Sequence, residues 1–330
     1  MFKKDKISRE EVVWCYQHLL GRPPESEAAI RSHLGHKGFK QMVDCFVSSP
    51  EFSARQNAAL SPFARREMWH AIGQAANAVD LEASAEQLAA CVKKIQAAWT
   101  HLGNEKPHYS VLTDARFLPD QLAASADSFW ASGEQEAATL QRILGRYGVH
   151  DLSDKVCVEY GCGVGRVTMG LAARFGQVHG YDISASHLKV AQERADALGV
   201  DCVCLHDSSA LLETELIACD CFYSRIVFQH NPPPVIARLI EQALAALKPG
   251  GIALFQVPTY GVGYRFRLQE WLQTEHPLDM QMHCLPQPHI FRLIAAAGCA
   301  VLEVREDNCT GAPERFVSNT FIVRKTACVH

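Results

Sequence analysis

The first rhythm of apolar and polar positions along the chain is helical. Val12, Cys15, Tyr16 and Leu19 recur at the spacing of one helix face. Ser8, with Glu11 three residues later, forms a capping pattern just before that stripe. Gly21 supplies a stop, and Pro23-Pro24 forbid continuation. Two more short helices are predicted over 25–34 and 39–47, the latter followed by Ser48-Ser49-Pro50-Glu51-Phe52. Residues 58–104 keep the helical period, with Leu88, Cys91, Val92, Ile95 and Trp99 on one stripe. This stretch reads as a helical connector or as a cap on the next domain, its aromatic stripe as core. A helix near 120–130, an interruption at Gly133 and a helix over 134–147 follow.

After Gly148 the period changes. Short apolar runs at 156–158, 178–182, 202–205, 221–227 and 252–257 alternate with helical patterns at 168–175, 186–198 and 234–247. Strands interleaved with helices predict an α/β fold, Rossmann-like and doubly wound, with a mostly parallel sheet.

Composition changes this picture little. The 330 residues are 48% hydrophobic and 21% charged, ordinary for a soluble, well-cored chain with room for two domains. A net charge of -4 gives no basic field for nucleic acid or an anionic membrane. No apolar h-region follows the charged start, and no run of about 18 apolar residues occurs. The 13 cysteines, an odd number scattered through predicted helices and strands, predict reduced thiols and a cytoplasmic protein. Cys202/Cys204 and Cys219/Cys221 form C-x-C pairs, each expected to place both thiols on one sheet face as core. No metal site is expected.

The most informative string is Val158-Glu159-Tyr160-Gly161-Cys162-Gly163-Val164-Gly165-Arg166-Val167, after a strand and opening a helix. Glycines there allow a tight turn and close backbone approach to a ligand, and a helix start favours an anion. A dinucleotide fingerprint would need glycine where Arg166 stands. The acid-x-G-x-G-x-G string instead resembles the first motif of class I S-adenosylmethionine (SAM) methyltransferases. The resemblance extends through Asp182 at the second strand end, Asp207-Ser208 after the third, Phe228-Gln229-His230-Asn231-Pro232 after the fourth and Lys248-Pro249-Gly250-Gly251 before the fifth. It covers about 106–325 and implies SAM as cofactor. It also implies a seven-stranded sheet closed by a C-terminal antiparallel hairpin, from 301–305 and 316–324.

The implied cofactor set is Glu159, Gly161, Cys162, Gly163, Gly165, Arg166, Asp182, Ile183, Asp207, Ser208 and Arg225, with Asp182 on the ribose hydroxyls and Asp207 on the adenine amine. Two structural readings stay open: Asp182 as a helix N-cap, and Glu159 as an ion partner of Arg166. His230, just past a strand end, is the candidate base, or a structural histidine in the turn before Pro232. Within an insertion over 258–284, Tyr260, Tyr264, Arg265 and Arg267 are candidate substrate contacts. Phe129-Trp130 is a candidate cofactor cover, and Cys309 lies in a loop expected to reach the site.

Near the start, Tyr16-x-x-Leu19-Leu20-Gly21-Arg22-x-Pro24 and Ser49-Pro50-Glu51-Phe52 resemble a helical domain of unknown function, family 4214, over about 7–55. That resemblance implies company with bacterial glycan and cell-surface assembly, and a protein partner. The alternative is any three-helix bundle with Arg22 and Glu51 as ion partners. The expected organisation is a helical accessory domain over 1–57, a connector over 58–105 and a methyltransferase domain over 106–330. The expected activity is SAM-dependent methylation, at oxygen, of a small molecule or glycan. A non-catalytic SAM-binding protein and an NAD-dependent nucleotide-sugar oxidoreductase are the competing expectations. Nucleic-acid methylation is not expected, since Asn231-Pro232-Pro233-Pro234 lacks the aromatic of the N-P-P-Y pattern.

Overall fold

A computed structural model describes residues 7–52, 75–210, 215–275 and 277–326. Expectations for 1–6 and 53–74, including most of the first half of the connector, lie outside the described residues. The chain divides into two units, Met1–Gln74 and Ala75–His330.

In the first unit, helix α1 (Arg9–Cys15) starts at Ser8. The Ser8 hydroxyl accepts the Glu11 amide while the Glu11 carboxylate accepts the Ser8 amide, so two orphan donors are satisfied reciprocally. The helix widens into a π-turn over Tyr16–Leu20 and ends at Gly21, whose φ of 68° needs glycine. Helices α2 (Glu27–His33) and α3 (Phe39–Val47) follow among the described residues. Among the described residues the unit's buried core is Ile7, Val12, Cys15, Tyr16, Ile30, Met42 and Phe46. Arg22 grips Glu51 through two nitrogens at 2.5 and 2.8 Å, and Glu25 at 2.5 Å. The Arg22 and Glu51 positions are thus ion partners.

The second unit opens with a two-residue strand β1 (Ala78–Val79) and helix α4 (Ala85–Glu105). Cys91, Val92 and Ile95 of α4 join the core beside the sheet, as a cap on this domain would. Helices α5 (Pro107–Val111) and α6 (Leu122–Arg146) follow. The break expected at Gly133 does not occur, since α6 runs through it. Glycine is required there for approach rather than for ending the helix. A Cβ at Gly133 would fall 1.9 Å from the Arg166 carbonyl oxygen.

Then come β2 (Val156–Tyr160), α7 (Thr168–Ala172), β3 (Gln177–Asp182), α8 (Ala185–Leu198), β4 (Val203–Asp207), β5 (Cys219–Ser224), α9 (Pro233–Ala246) and β6 (Leu247–Gly261). A short strand β7 (Arg265–Phe266), helices α10 (Leu268–Gln273) and α11 (Gln287–Ala296), and strands β8 (Cys299–Asp307) and β9 (Phe316–Lys325) end the chain. The main sheet has the order β4-β3-β2-β5-β6-β9-β8. The first five strands run parallel, and β9 is antiparallel to both β6 and β8. This is the expected Rossmann-like α/β sheet with its C-terminal antiparallel hairpin. The strand order reverses between β2 and β5, and ligands of open α/β sheets bind in the crevice above such a switch point.

Two apolar layers sandwich the sheet. Val158, Phe222 and Phe255 face one with α9 and α11, while Cys157, Cys221 and Leu254 face the other with α6 and α7. Cys219 and Cys221 were expected on one face, yet Cys219 packs in the first layer and Cys221 in the second. A register shift between them breaks the two-residue alternation. All twelve cysteines among the described residues are free thiols. No helix among the described residues is long and apolar enough to cross a membrane.

Candidate functional site

The switch point is filled by the loop between β2 and α7. Gly161, Gly163 and Gly165 all adopt left-handed backbone, with φ of 77°, 54° and 80°. Only glycine does this without strain. Space is equally restrictive: a Cβ at Gly161 would lie 2.2 Å from Val227 Cγ2, and one at Gly163 2.5 Å from Val111 Cγ2. Gly165 lies behind the loop, against Met169 and Ala191 of α8.

Asp182, at the end of β3, holds this loop. Its Oδ2 accepts the Gly163 amide at 2.8 Å and its Oδ1 the Ser184 amide at 2.9 Å. The helix N-cap reading belongs to Ser184, whose hydroxyl accepts the His187 amide at the start of α8. Asp182 is 8% exposed and faces a crevice lined also by Gly161, Cys162, Gly163, Ile183 and Ser208. Each carboxylate oxygen has spent one lone pair on a backbone amide and retains another.

Glu159 lies beneath the loop, where it accepts the Thr168 hydroxyl at 2.6 Å. Burial pushes its carboxyl up to about 8. Arg166 does not pair with it. Arg166 reaches Glu136 on α6 at 2.8 Å and the Ser132 hydroxyl at 3.1 Å. Arg225, past the end of β5, meets the same Glu136 oxygen at 2.8 Å, and the Tyr223 hydroxyl bonds the other. Burial raises the Glu136 carboxyl, but Arg166 and Arg225 outweigh it and hold the group below the usual carboxylate range. The side of the crevice is therefore a hydrogen-bonded cluster of two guanidiniums, one carboxylate and one phenol, with one positive charge left over. Cys309 of the β8–β9 loop approaches Arg225 Nε at 3.3 Å, so that loop does reach the site's edge.

The predicted cofactor residues divide cleanly. Glu159, Gly161, Cys162, Gly163, Arg166, Asp182, Ile183, Ser208 and Arg225 line the crevice. Asp207 is exposed and accepts the Ser209 amide at 2.7 Å, outside the lining. His230 is elsewhere. Its Nδ1 donates to the Gln281 carbonyl at 2.8 Å, and Gln229 Nε2 lies 3.2 Å from its Nε2. Its ring stands edge-on to Trp99 in a separate hollow. Burial lowers its proton affinity to about 4, so it is neutral at physiological pH.

Nor do the predicted substrate residues converge. Arg265 pairs with Glu270 at 3.0 Å and Arg267 with Asp80 at 2.8 Å, both at the surface. Tyr264 donates to or accepts from His283 Nδ1 at 3.0 Å, and Tyr260 lies on β6 opposite Val317. None of the four lines the crevice. Phe129 is buried against Phe117 and Val164, behind the loop rather than over it. The residues that do cover the crevice are Ser110 and Val111 of α5 and Ile95 and Trp99 of α4.

Three contributors carry no signal in the sequence. Glu136 sits among polar residues in a long helix. His187 is 1% exposed and bonds Ser110 Oγ at 2.8 Å, with its other nitrogen 3.5 Å from Asp182. Ile226 has φ of 60°, a strained conformation for a β-branched residue, and its amide is caught by Gln256 Oε1 at 3.0 Å. That turn sets Ile226 and Val227 into the crevice wall.

Residues 157–251 match the family model described as "Methyltransferase domain". The matched segment runs from β2 through the glycine loop, Asp182 and Arg225 to the turn inside β6. No curated protein matches the chain. Among solved structures, the chain is similar to a magnesium protoporphyrin IX methyltransferase from Synechocystis PCC 6803 with bound SAH. The identity is 15%, with 71% of this chain and 99% of that one covered and a TM-score of 0.49. It is also similar to an S-adenosylmethionine-dependent methyltransferase from Clostridium acetobutylicum, at 10% identity, 58% and 92% coverage and a TM-score of 0.43. The cyclase SpnF is a third, at 18% identity, 57% and 81% coverage and a TM-score of 0.44.

Proposed function

We propose that the unit from Ala75 onward is an enzyme that methylates an oxygen of a small molecule or glycan. S-adenosylmethionine is the cofactor, and its sulfonium supplies a methyl group with the leaving group already built in. The observation that carries this reading is the Gly163–Asp182 tie at 2.8 Å. It fixes a loop whose glycines let the backbone come close to a ligand against a carboxylate with lone pairs for two ribose hydroxyls. Ile183 and Ser208 flank the place of the adenine, and Ser110 and Val111 close over the loop.

Positioning and alignment then carry the chemistry. The acceptor enters past the Glu136, Tyr223 and Arg225 cluster. Those three residues border both the crevice and a neighbouring cleft of about 740 Å³. Leu140, Ile143, Leu254 and Ile322 give that cleft an apolar floor, and Arg142, Arg305 and Asp307 give it a polar rim. An apolar floor with a few polar groups suits a sugar or another compact molecule with one faceted apolar side. His230 is structural in this reading, since both ring nitrogens already have neighbours within hydrogen-bond range. The acceptor oxygen is accordingly one already ionised, such as the carboxylate of an acidic sugar, because a neutral sugar hydroxyl would need a base to take its proton. The glycan context rests on the resemblance of residues 7–55 to an accessory domain of cell-surface assembly, which is also the basis for a protein partner there.

The test is transfer of labelled methyl from SAM to a panel of sugars, glycan fragments and acidic hydroxyl compounds. Product labelled at oxygen with some member of the panel supports the proposal. SAM binding with no transfer to any class would leave a cofactor-binding protein without catalysis and overturn it.

A further inference from the structure

The α2–α3 hairpin of the first unit gathers two imidazoles and a thiol. His33 is the last residue of α2, His36 lies in the following turn, and Cys45 lies on α3. His33 Nδ1 and His36 Nε2 face each other at 3.3 Å. One ligand atom from each of His33, His36 and Cys45 lies within 4.8 Å of the other two. The His33 ring is held flat against Phe46, with centroids 4.5 Å apart, and edge-on to Tyr16. Its orientation is therefore set by the core, and its Nδ1 is turned toward the His36 ring.

We propose that His33, His36 and Cys45 bind a zinc ion, with a water at the fourth position. The distances favour it. Zinc–nitrogen bonds of about 2.0–2.1 Å at a tetrahedral angle place two nitrogens about 3.3–3.4 Å apart, which is the separation the histidines already have. A zinc–sulfur bond of about 2.3 Å needs the sulfur about 3.5 Å from each nitrogen, within reach of a side-chain rotation of exposed Cys45. The donor set selects the metal: thiolate and imidazole suit zinc, whereas magnesium and calcium require oxygen ligands.

The site also answers a need of this unit. Among the described residues the core of this unit holds seven buried apolar side chains, and small domains are commonly stapled by a metal or a disulfide. A zinc ion here would join the end of α2, the turn and α3, a helix pair that no ion pair spans among the described residues. The motif, H-x-x-H followed by C after eight residues, is invisible to a search for paired C-x-x-C spacing.

The experiment uses the full chain, stripped of metal, with zinc and cobalt(II) as probes. Calorimetry and the cobalt absorption spectrum are recorded for wild type, Cys45→Ser and His36→Ala, with folding checked by circular dichroism. The expected result is one zinc per chain in wild type, weakened at least tenfold in each variant. A thiolate-to-cobalt charge-transfer band should be present in wild type and lost in Cys45→Ser. Equal zinc affinity in all three proteins, or a cobalt spectrum without the thiolate band, would reduce the two histidines to a hydrogen-bonded pair and overturn the proposal.

Discussion

The glycine-loop crevice and the insertion over 258–284 both carried site predictions in the sequence, and the structure treats them differently. In the crevice, nearly every predicted residue lines one cavity. In the insertion, Arg265 and Arg267 are consumed by Glu270 and Asp80, and Tyr264 by His283. The difference lies in what each prediction depended on. Three left-handed glycines and a carboxylate at a strand end are backbone requirements, fixed by the order of strand, loop and helix. Aromatics and arginines have long side chains with several possible partners, and which partner each finds is decided by tertiary packing that no local pattern encodes.

The comparison can be broken most forcefully at the cluster beside the crevice. Glu136→Ala leaves the Arg166 and Arg225 guanidiniums without their shared carboxylate. Breaking a buried pair costs about 3–5 kcal/mol, so denaturant unfolding should show a loss of that order. A loss near zero would mean that the cluster is solvated and that the crevice wall is not built on it.

Next in size is the loop itself. Gly161→Val combines forbidden φ with a collision against Val227. SAM affinity should fall roughly 100-fold, equivalent to about 2.7 kcal/mol, as measured by calorimetry. Retention of affinity would show that the loop yields and that its conformation is not what the cofactor reads.

The third test uses pH. The Glu159 carboxyl is raised from 4.5 to about 8, so the folded state prefers it protonated. Its contribution to stability is complete below about 4.5, declines as pH rises and is gone above about 8. Glu159→Gln keeps a neutral group opposite the Thr168 hydroxyl and removes this titration. Thermal melts from pH 5 to 9 should therefore show a shallower fall in stability between pH 5 and 8 in the variant; identical profiles would contradict the assignment.

The smallest effect belongs to the insertion. Arg265→Ala with Arg267→Ala removes two surface ion pairs, worth together on the order of 1 kcal/mol or less, and should leave SAM affinity unchanged. A large loss of SAM affinity would return this segment to the site.

The same division runs through the fold. Alternating strands and helices placed most of the sheet before any coordinates, because period and punctuation are local. Gly133 was misread as a break because a helical glycine that admits a neighbouring carbonyl looks, in sequence, like one that ends a helix. Cys219 and Cys221 part to opposite faces, against the expected shared one, because a register shift leaves no mark in the sequence. Glu136, His187 and the strained Ile226 had no local signature, and each acts through a partner distant in the chain. His230 had the right position along the chain but turns to Gln281 and Trp99.

The central claim is that Asp182 and the loop it holds form the cofactor site. The most direct measurement is calorimetry of SAM binding to the wild-type chain and to Asp182→Ala, with NAD as the competing ligand. Removing a charged hydrogen-bond acceptor typically costs about 1.5–3 kcal/mol. The account therefore predicts SAM binding to the wild type, a loss of roughly 10–100-fold in the variant and no binding of NAD to either. Equal SAM affinity in both proteins, or NAD binding in preference to SAM, would contradict it.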